Sequence, residues 1–255
     1  MTDPNFDTIA RYYDIIYADR TDDVDMWLTI AAESGTDILE IGCGTGRVTM
    51  PLLEAGFRVT GIDISPDALA LAQKKIDAGN FGEQATLLQA DMRNYTLPRT
   101  DYDLAFIPVN TFMHCETIAD QKATLKTAYN HLRSGGWLVV DVYHPYPAAL
   151  AEADGRVELA GQFSTAENHM VQWFSSRQLQ LDEQVQHVTF FLDETDADGN
   201  LRRRILKFPM RYVHRFEMEL LLADAGFTIA EILGDYDQSL FYAESPRMIF
   251  LAQKG

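Results

Sequence analysis

A chain of 255 residues, 47% hydrophobic and 23% charged, can bury a substantial core and sits near the soluble globular average, which excludes a disordered or fibrous class. Its formal charge of -17, from 21 Lys plus Arg against 38 Asp plus Glu, repels a phosphate backbone and so disfavours a nucleic-acid partner. The start MTDPNFDTIARYYD is polar and acidic where a signal peptide would be basic and then apolar. No apolar run nears the ~18 residues of a membrane span, so a cytoplasmic protein with no membrane partner is expected.

Cys43 and Cys115 lie far apart without ligand spacing, which argues against a disulfide framework or a zinc site and points to packing roles. The histidines show no HExxH pattern, and Asp235 and Asp237 lack the rest of a calcium loop, so no metal is expected.

In chain order, residues 5–17 and 22–34 carry helical apolar spacing. Short β-rich runs follow at 37–42, 57–62, 85–90, 102–108 and 136–143, with amphipathic stretches at 46–55, 66–79 and 117–132 between them. The helix at 66–79 opens on Ser65-Pro66, with Pro at its first position. After Tyr143 the pattern changes to polar-apolar alternation over 157–213, and DADGN at 196–200 is a hairpin turn. A helix at 214–225 ends at Gly226, and strands near 227–233 and 247–253 complete the sheet. The expectation is a doubly wound α/β fold of seven strands, formed by 1–143 plus 214–255, with an antiparallel insertion at 144–213 before the last helix. Arg202-Arg203-Arg204 is the one basic cluster, and strand alternation should send its members to opposite faces of a solvated sheet.

The segment ILEIGCGTGRVTMPLLEAGFRVTGIDIS, residues 38–65, concentrates the chemistry. Glycine costs backbone entropy, so three at alternate positions need a reason. In open α/β sheets ligands bind at the carboxyl ends of the strands, and Gly42, Gly44 and Gly46 let the turn there approach one closely. Asp63 ends the next strand 21 residues beyond Gly42, the interval of a carboxylate that takes ribose hydroxyls. A dinucleotide fingerprint would place glycine where Arg47 stands.

Glu40, Gly42, Gly44 and Gly46 form E-x-G-x-G-x-G, which resembles motif I of the class I S-adenosylmethionine-dependent methyltransferases. Asp91-Met92, LRSGGWLVVDVYHP (132–145), YYDIIY (12–17), FIPVNTFMH (106–114) and the tail from His214 extend the resemblance toward small-molecule members, of the sugar N-methyltransferase and glycine/sarcosine type. It implies a Rossmann-like sheet, S-adenosyl-L-methionine as cofactor with S-adenosyl-L-homocysteine as product, and a small-molecule acceptor. Cofactor contacts are implied at Glu40, Gly42, Cys43, Gly44, Gly46, Asp63, Ile64, Asp91, Met92 and Asn110. His114 is implied as a base, with Tyr17 or Tyr13 orienting the acceptor from an N-terminal helix that closes over the site. The insertion would roof the pocket and offer a homodimer surface.

Plainer readings stand beside these. The glycines could form only a tight turn, Asp63 could cap a helix although Ser65 is better placed, and Asp91 could be a turn residue before Arg93. Tyr13 and Tyr17 share a helix face that could simply pack, His114 could be structural, and Trp137 and Trp173 read as packing residues. Tyr143 and His144, at the end of the fifth strand, are weaker site candidates. A nicotinamide-dependent oxidoreductase would share the fold and Asp63, and a non-catalytic cofactor-binding protein would share the cofactor site.

Overall fold

The computed structural model describes residues 4–18, 20–165 and 167–255, so the first three residues of the acidic start lie outside it. The main unit opens with α1 (Pro4–Ile16), α2 (Val24–Ser34), β1 (Asp37–Ile41), α3 (Thr49–Glu54), β2 (Arg58–Asp63), α4 (Pro66–Gly79) and β3 (Ala85–Gln89). It continues through β4 (Tyr102–Ile107), α5 (Ile118–His131), β5 (Leu132–Tyr143) and the short α6 (Pro147–Ala151). Strands β6 (Asp154–Ser164), β7 (Met170–Gln180), β8 (Val185–Thr195) and β9 (Leu201–Arg211) follow, before α7 (Arg215–Ala225), β10 (Phe227–Leu233) and β11 (Arg247–Lys254). No helix among the described residues is long and apolar enough to cross a membrane.

The large sheet has the order β10-β11-β5-β4-β1-β2-β3, with β1 to β5 parallel and β11 antiparallel to both of its neighbours. Every residue of β1 is buried, as expected of a central parallel strand covered on both faces. Alternate residues feed two cores. Ile38, Leu104, Phe106 and Val139 pack with α2 and α3, and Leu39, Ala105, Ile107 and Val140 pack with α5 and α7. Trp27 of α2 stacks on Phe106 with ring centroids 4.6 Å apart. Trp137 packs against the same core, in keeping with its sequence reading.

Local signals set most boundaries. Ser65 Oγ accepts from Ala68 N at 3.1 Å to cap α4, and Gly226 ends α7 at φ 105°. Helix α3 starts at Thr49, later than its apolar spacing predicts, because Gly46 holds φ 81°, outside the helical region. The carboxyl end of β4 turns through a 3-10 helix, Thr111–His114, that the sequence pattern did not signal.

Strands β6 to β9 form a separate antiparallel sheet in simple meander order. Its β8–β9 turn is the expected one: Asp196 Oδ1 accepts from the backbone N of Asp198 and Asn200 at 3.0 and 2.8 Å, and Gly199 takes φ 83°. Alternation does split the arginine triplet. Arg203 forms a bidentate pair with Asp193 on the outer face, and Arg204 turns inward to Glu194 and Tyr12. Arg204 is therefore a bridge to α1 and not part of a solvated face.

A buried carboxylate joins the sheet to the site. Asp141 of β5 accepts from Arg247 Nε of β11 at 2.6 Å, from the Tyr236 hydroxyl at 3.0 Å and from Val109 N at 2.9 Å. Removing one partner of a buried pair strands the other charge, at a cost of about 3–5 kcal/mol. Asp141→Ala is expected to lower stability by about that amount in urea unfolding. An unchanged midpoint would show that Arg247 finds solvent or another partner.

Candidate active site

The carboxyl ends of β1 to β4 form the floor of a cavity of about 470 Å³, within the size range of small-molecule sites. Its roof comes from α1 and from the inward face of β8 and β9. The turn after β1 must be glycine where the chain closes on itself: at Gly42, φ 81°, a Cβ would stand 2.4 Å from Thr111 Cγ2. At Gly44, φ 54°, a Cβ would meet nothing within 4 Å, so the backbone there faces open cavity. Asp63 Oδ2 accepts from Gly44 N and Oδ1 from Ser65 N, each at 2.8 Å. The two bonds aim the carboxylate at the cavity and leave it further acceptor capacity, while burial raises its pKa. A carboxylate left free by the Ser65 cap was the sequence expectation; instead it is already half engaged, because Gly44 and Ser65 both present N–H groups to it.

The other candidate residues divide. Gly42, Gly44, Asp63, Ile64, Asp91, Met92 and Asn110 line the cavity, and so do His114, Tyr13 and Tyr17. Glu40, Cys43 and Gly46 are not in its wall. Glu40 is buried and accepts from Thr49 Oγ1 at 2.5 Å, because every side chain of β1 is enclosed. The Cys43 thiol packs toward Gly61, where a Cβ would come within 2.8 Å of its sulfur, and Gly46 lies against Ala72 of α4. Cys115 is likewise buried, with its sulfur 3.1 Å from Thr124 Oγ1.

Asp91 is a turn aspartate as well as a cavity residue. It accepts from Arg93 N at 2.9 Å and from the Arg93 guanidinium at 2.5–3.0 Å, which holds its carboxyl below the usual range. The Asn110 Oδ1 is engaged by the sheet: it accepts from Tyr143 N at 2.7 Å and from Arg247 at 3.2 Å. Tyr143 packs against the core behind the sheet, and His144 Nδ1 lies 2.9 Å from Ser245 O, so neither reaches the cavity.

Tyr13 and Tyr17 stand one helical turn apart with ring centroids at 4.5 Å. Burial pushes the Tyr13 phenol up to about 12 and raises Tyr17 as well, so both are neutral hydroxyls at neutral pH. The His114 ring stands edge-on to Phe6 at 4.9 Å and 5.6 Å from Phe208. Trp173 backs this wall, 6.2 Å from Tyr17 and 5.1 Å from Phe190, as its packing reading anticipates. Arg47 forms a bidentate pair with Asp23 at 2.6 and 2.7 Å and donates to Arg20 O, tying the glycine turn to the start of α2.

Helix α1 is fastened on both sides. Asp7 accepts from Ser65 Oγ at 2.5 Å, Asp14 accepts from Thr45 Oγ1 at 2.5 Å and pairs with Lys75 at 2.7 Å, and Tyr12 donates to Glu194 of β8 at 2.8 Å. The roof residues Phe6, Ile9, Phe190, Leu206, Phe208 and Met210 escaped the sequence reading. Their signals were the three- and four-residue spacing of α1 and the alternation along 204–210, which mark buried faces without saying what those faces cover.

A mixed sheet in this order with β1 to β5 parallel, a glycine turn opening on a cavity and an acidic residue ending the second strand are the features of an S-adenosylmethionine-dependent methyltransferase. Residues 38–136 match the methyltransferase domain family. It is 28% identical over 233 residues to YqeM of Bacillus subtilis, which bears a methyltransferase name, covering 90% of this chain and 88% of that protein. A solved S-adenosylmethionine-dependent methyltransferase from Clostridium acetobutylicum superposes with a TM-score of 0.80 at 19% identity, covering 96% of each chain. A sugar N-methyltransferase from a Streptoalloteichus species superposes with a TM-score of 0.76 at 22% identity, covering 95% and 92%. These two structural likenesses concern the fold.

Burial raises the Glu40 carboxyl from its ordinary 4.5 to about 8. A raised acid stabilises the fold fully below the lower value, and that contribution is lost as pH climbs through the higher one. Wild-type stability should therefore fall relative to Glu40→Gln by up to about 1.4 kcal/mol per pH unit over this interval. Urea midpoints of both proteins at acidic and mildly alkaline pH measure the difference, and parallel slopes would show that Glu40 is ionised throughout.

Proposed function

We propose that this enzyme moves the methyl group of S-adenosylmethionine to a nitrogen or oxygen of a small molecule, leaving S-adenosylhomocysteine. One observation carries the reading: Gly44 and Asp63 present an open backbone and a partly engaged carboxylate to the same cavity that Tyr13 and Tyr17 enter from the roof and His114 from the turn after β4. The residues fit the cofactor. Gly42 and Gly44 would lie along its amino-acid portion, Asp63 would accept from the ribose hydroxyls, and Ile64, Asp91 and Met92 would flank the adenine. Bound there, it supplies a methyl group on a positively charged sulfur, an electrophile with a neutral thioether as leaving group.

The chain's own contribution is alignment and exclusion of water. The neutral hydroxyls of Tyr13 and Tyr17 orient the acceptor as donors. Tyr13 and Tyr17 would hold the acceptor's lone pair toward the methyl carbon, which the bound cofactor would give up with the bonding pair left on its sulfur. The acceptor's proton leaves to His114 when the group is a hydroxyl, whereas an amine that arrives unprotonated needs no base during transfer.

We infer a homodimer surface on the outer face of the four-stranded sheet, where Leu159, Phe174, Phe191 and Ile205 stand in register across the strands. Leu159 and Ile205 are 55% and 53% exposed in the single chain, leaving apolar area for a second copy. Sedimentation velocity should show a dimer that Ile205→Glu converts to monomer; a wild-type monomer would remove this surface.

Calorimetry with S-adenosylhomocysteine should give saturable binding that Asp63→Ala weakens by at least about tenfold, the value of a hydrogen bond to a charged group. Binding of NADH in its place would sink the methyltransferase reading. His114→Ala should slow methylation of a hydroxyl acceptor by about a hundredfold or more while sparing cofactor affinity. Normal turnover would remove His114 as the base.

A further inference from the structure

The two walls of the cavity differ in chemistry. The floor carries Thr45, Asp63, Ser65, Asp91 and the peptide groups of the glycine turn. The roof offers Phe6, Ile9, Phe190, Leu206, Phe208 and Met210, and Tyr13 and Tyr17 are its half-buried polar members. Its aromatic rings form one continuous surface: Phe190 meets Phe208 edge to face at 5.2 Å and 84°, and Phe6 lies 6.5 Å from Phe208. Arg204, on the inward face of β9, is taken up by Glu194 at 2.9 Å and by Tyr12, and does not reach the cavity. Arg20, Arg93 and Glu116 also line the cavity and are exposed, Arg20 lies over the Tyr17 ring, and Arg47 is bonded to the Tyr13 hydroxyl and paired with Asp23.

A polyhydroxylated acceptor held against such a wall would lose its bonds to water without replacing them, and each buried unpaired polar group weakens binding. An aryl body gains there, through edge-to-face ring contacts and contact with the Met210 sulfur. We propose, building on the methyl-transfer reading above, that the acceptor is a small aromatic molecule bearing one nucleophilic oxygen or nitrogen. Its ring packs on Phe190, Phe208 and Met210, and its nucleophile faces Tyr13, Tyr17 and His114. Phenols and arylamines share this chemistry, and the roof is the element that selects for it against amino sugars.

The test uses the full-length protein saturated with S-adenosylhomocysteine, titrated calorimetrically with alpha-naphthol, with alpha-naphthylamine and with glucosamine. Labelled methyl transfer from S-adenosylmethionine to each is measured in parallel. Saturable binding of a naphthyl probe but not of glucosamine is expected. Phe208→Asn should weaken that binding at least tenfold with S-adenosylhomocysteine affinity unchanged within twofold. Met210→Gln gives the same comparison if Phe208→Asn does not fold, and transfer to the naphthol or to the naphthylamine tells oxygen from nitrogen. Glucosamine binding that the naphthyl probes do not displace, absence of naphthyl binding, or naphthyl binding equal in the variants and wild type would overturn the inference. Failure of the wild-type protein to bind S-adenosylhomocysteine at all is a separate result: it removes the methyl-transfer reading and this inference with it.

Discussion

The buried carboxylate of Asp141 is the constraint on which the rest of the site depends. It is fully enclosed, and charge in such a place persists only when it is paired and hydrogen-bonded. Arg247, Tyr236 and Val109 N supply those partners from three different segments. The bond to Val109 N, with that from Asn110 N to Asp141 O at 3.0 Å, holds the chain after β4 in left-handed conformation, φ 47° and 65°. A β-branched residue in that region is strained by about 1–3 kcal/mol and persists only where its surroundings over-determine it. The next residues are Thr111, which closes on Gly42, and the turn that carries His114. An interaction inside the sheet thus sets the position of a base candidate at its rim.

The roof is held differently. Tyr12, Val171, Leu192 and Leu206 form a small core between α1 and the four-stranded sheet, and the polar ties of α1 surround it. Exposed ion pairs contribute at most about 1 kcal/mol each, so this apolar contact does more to seat the helix than pairs such as Asp14 with Lys75. Glu194 adds a buried exception: His169, Tyr12 and Arg204 converge on it and hold its carboxyl down at about 2. The helix that carries Tyr13 and Tyr17 is therefore positioned by the insertion as much as by the main sheet.

Function follows from setting the two walls face to face. The floor uses backbone N–H groups and carboxylates on rigid strand ends, where geometry is fixed by the sheet. The roof uses aromatic side chains from a helix and a meander. Its tyrosines stay neutral because burial opposes the phenolate, so each carries a hydroxyl proton at neutral pH.

The sequence by itself determined the elements and the class. Periods of two and near 3.6, the Ser65-Pro66 start and the Gly226 stop are local physics and fall where expected, as does the glycine turn at the end of the first strand. Tertiary structure decided which atoms are available. Asp91 was legible as a carboxylate at a strand end, but its engagement by Arg93 was not, and neither was the turning of Asn110 toward Tyr143 N and Arg247. Glu40 and Cys43 belong to the same motif as Gly44 yet point into the packed interior, because successive residues of a strand and its turn face different ways. The roof was least legible, since Phe6 meets Phe208 only after the insertion folds back over α1. Contacts between residues so far apart in the chain leave no local pattern; packing alone creates them.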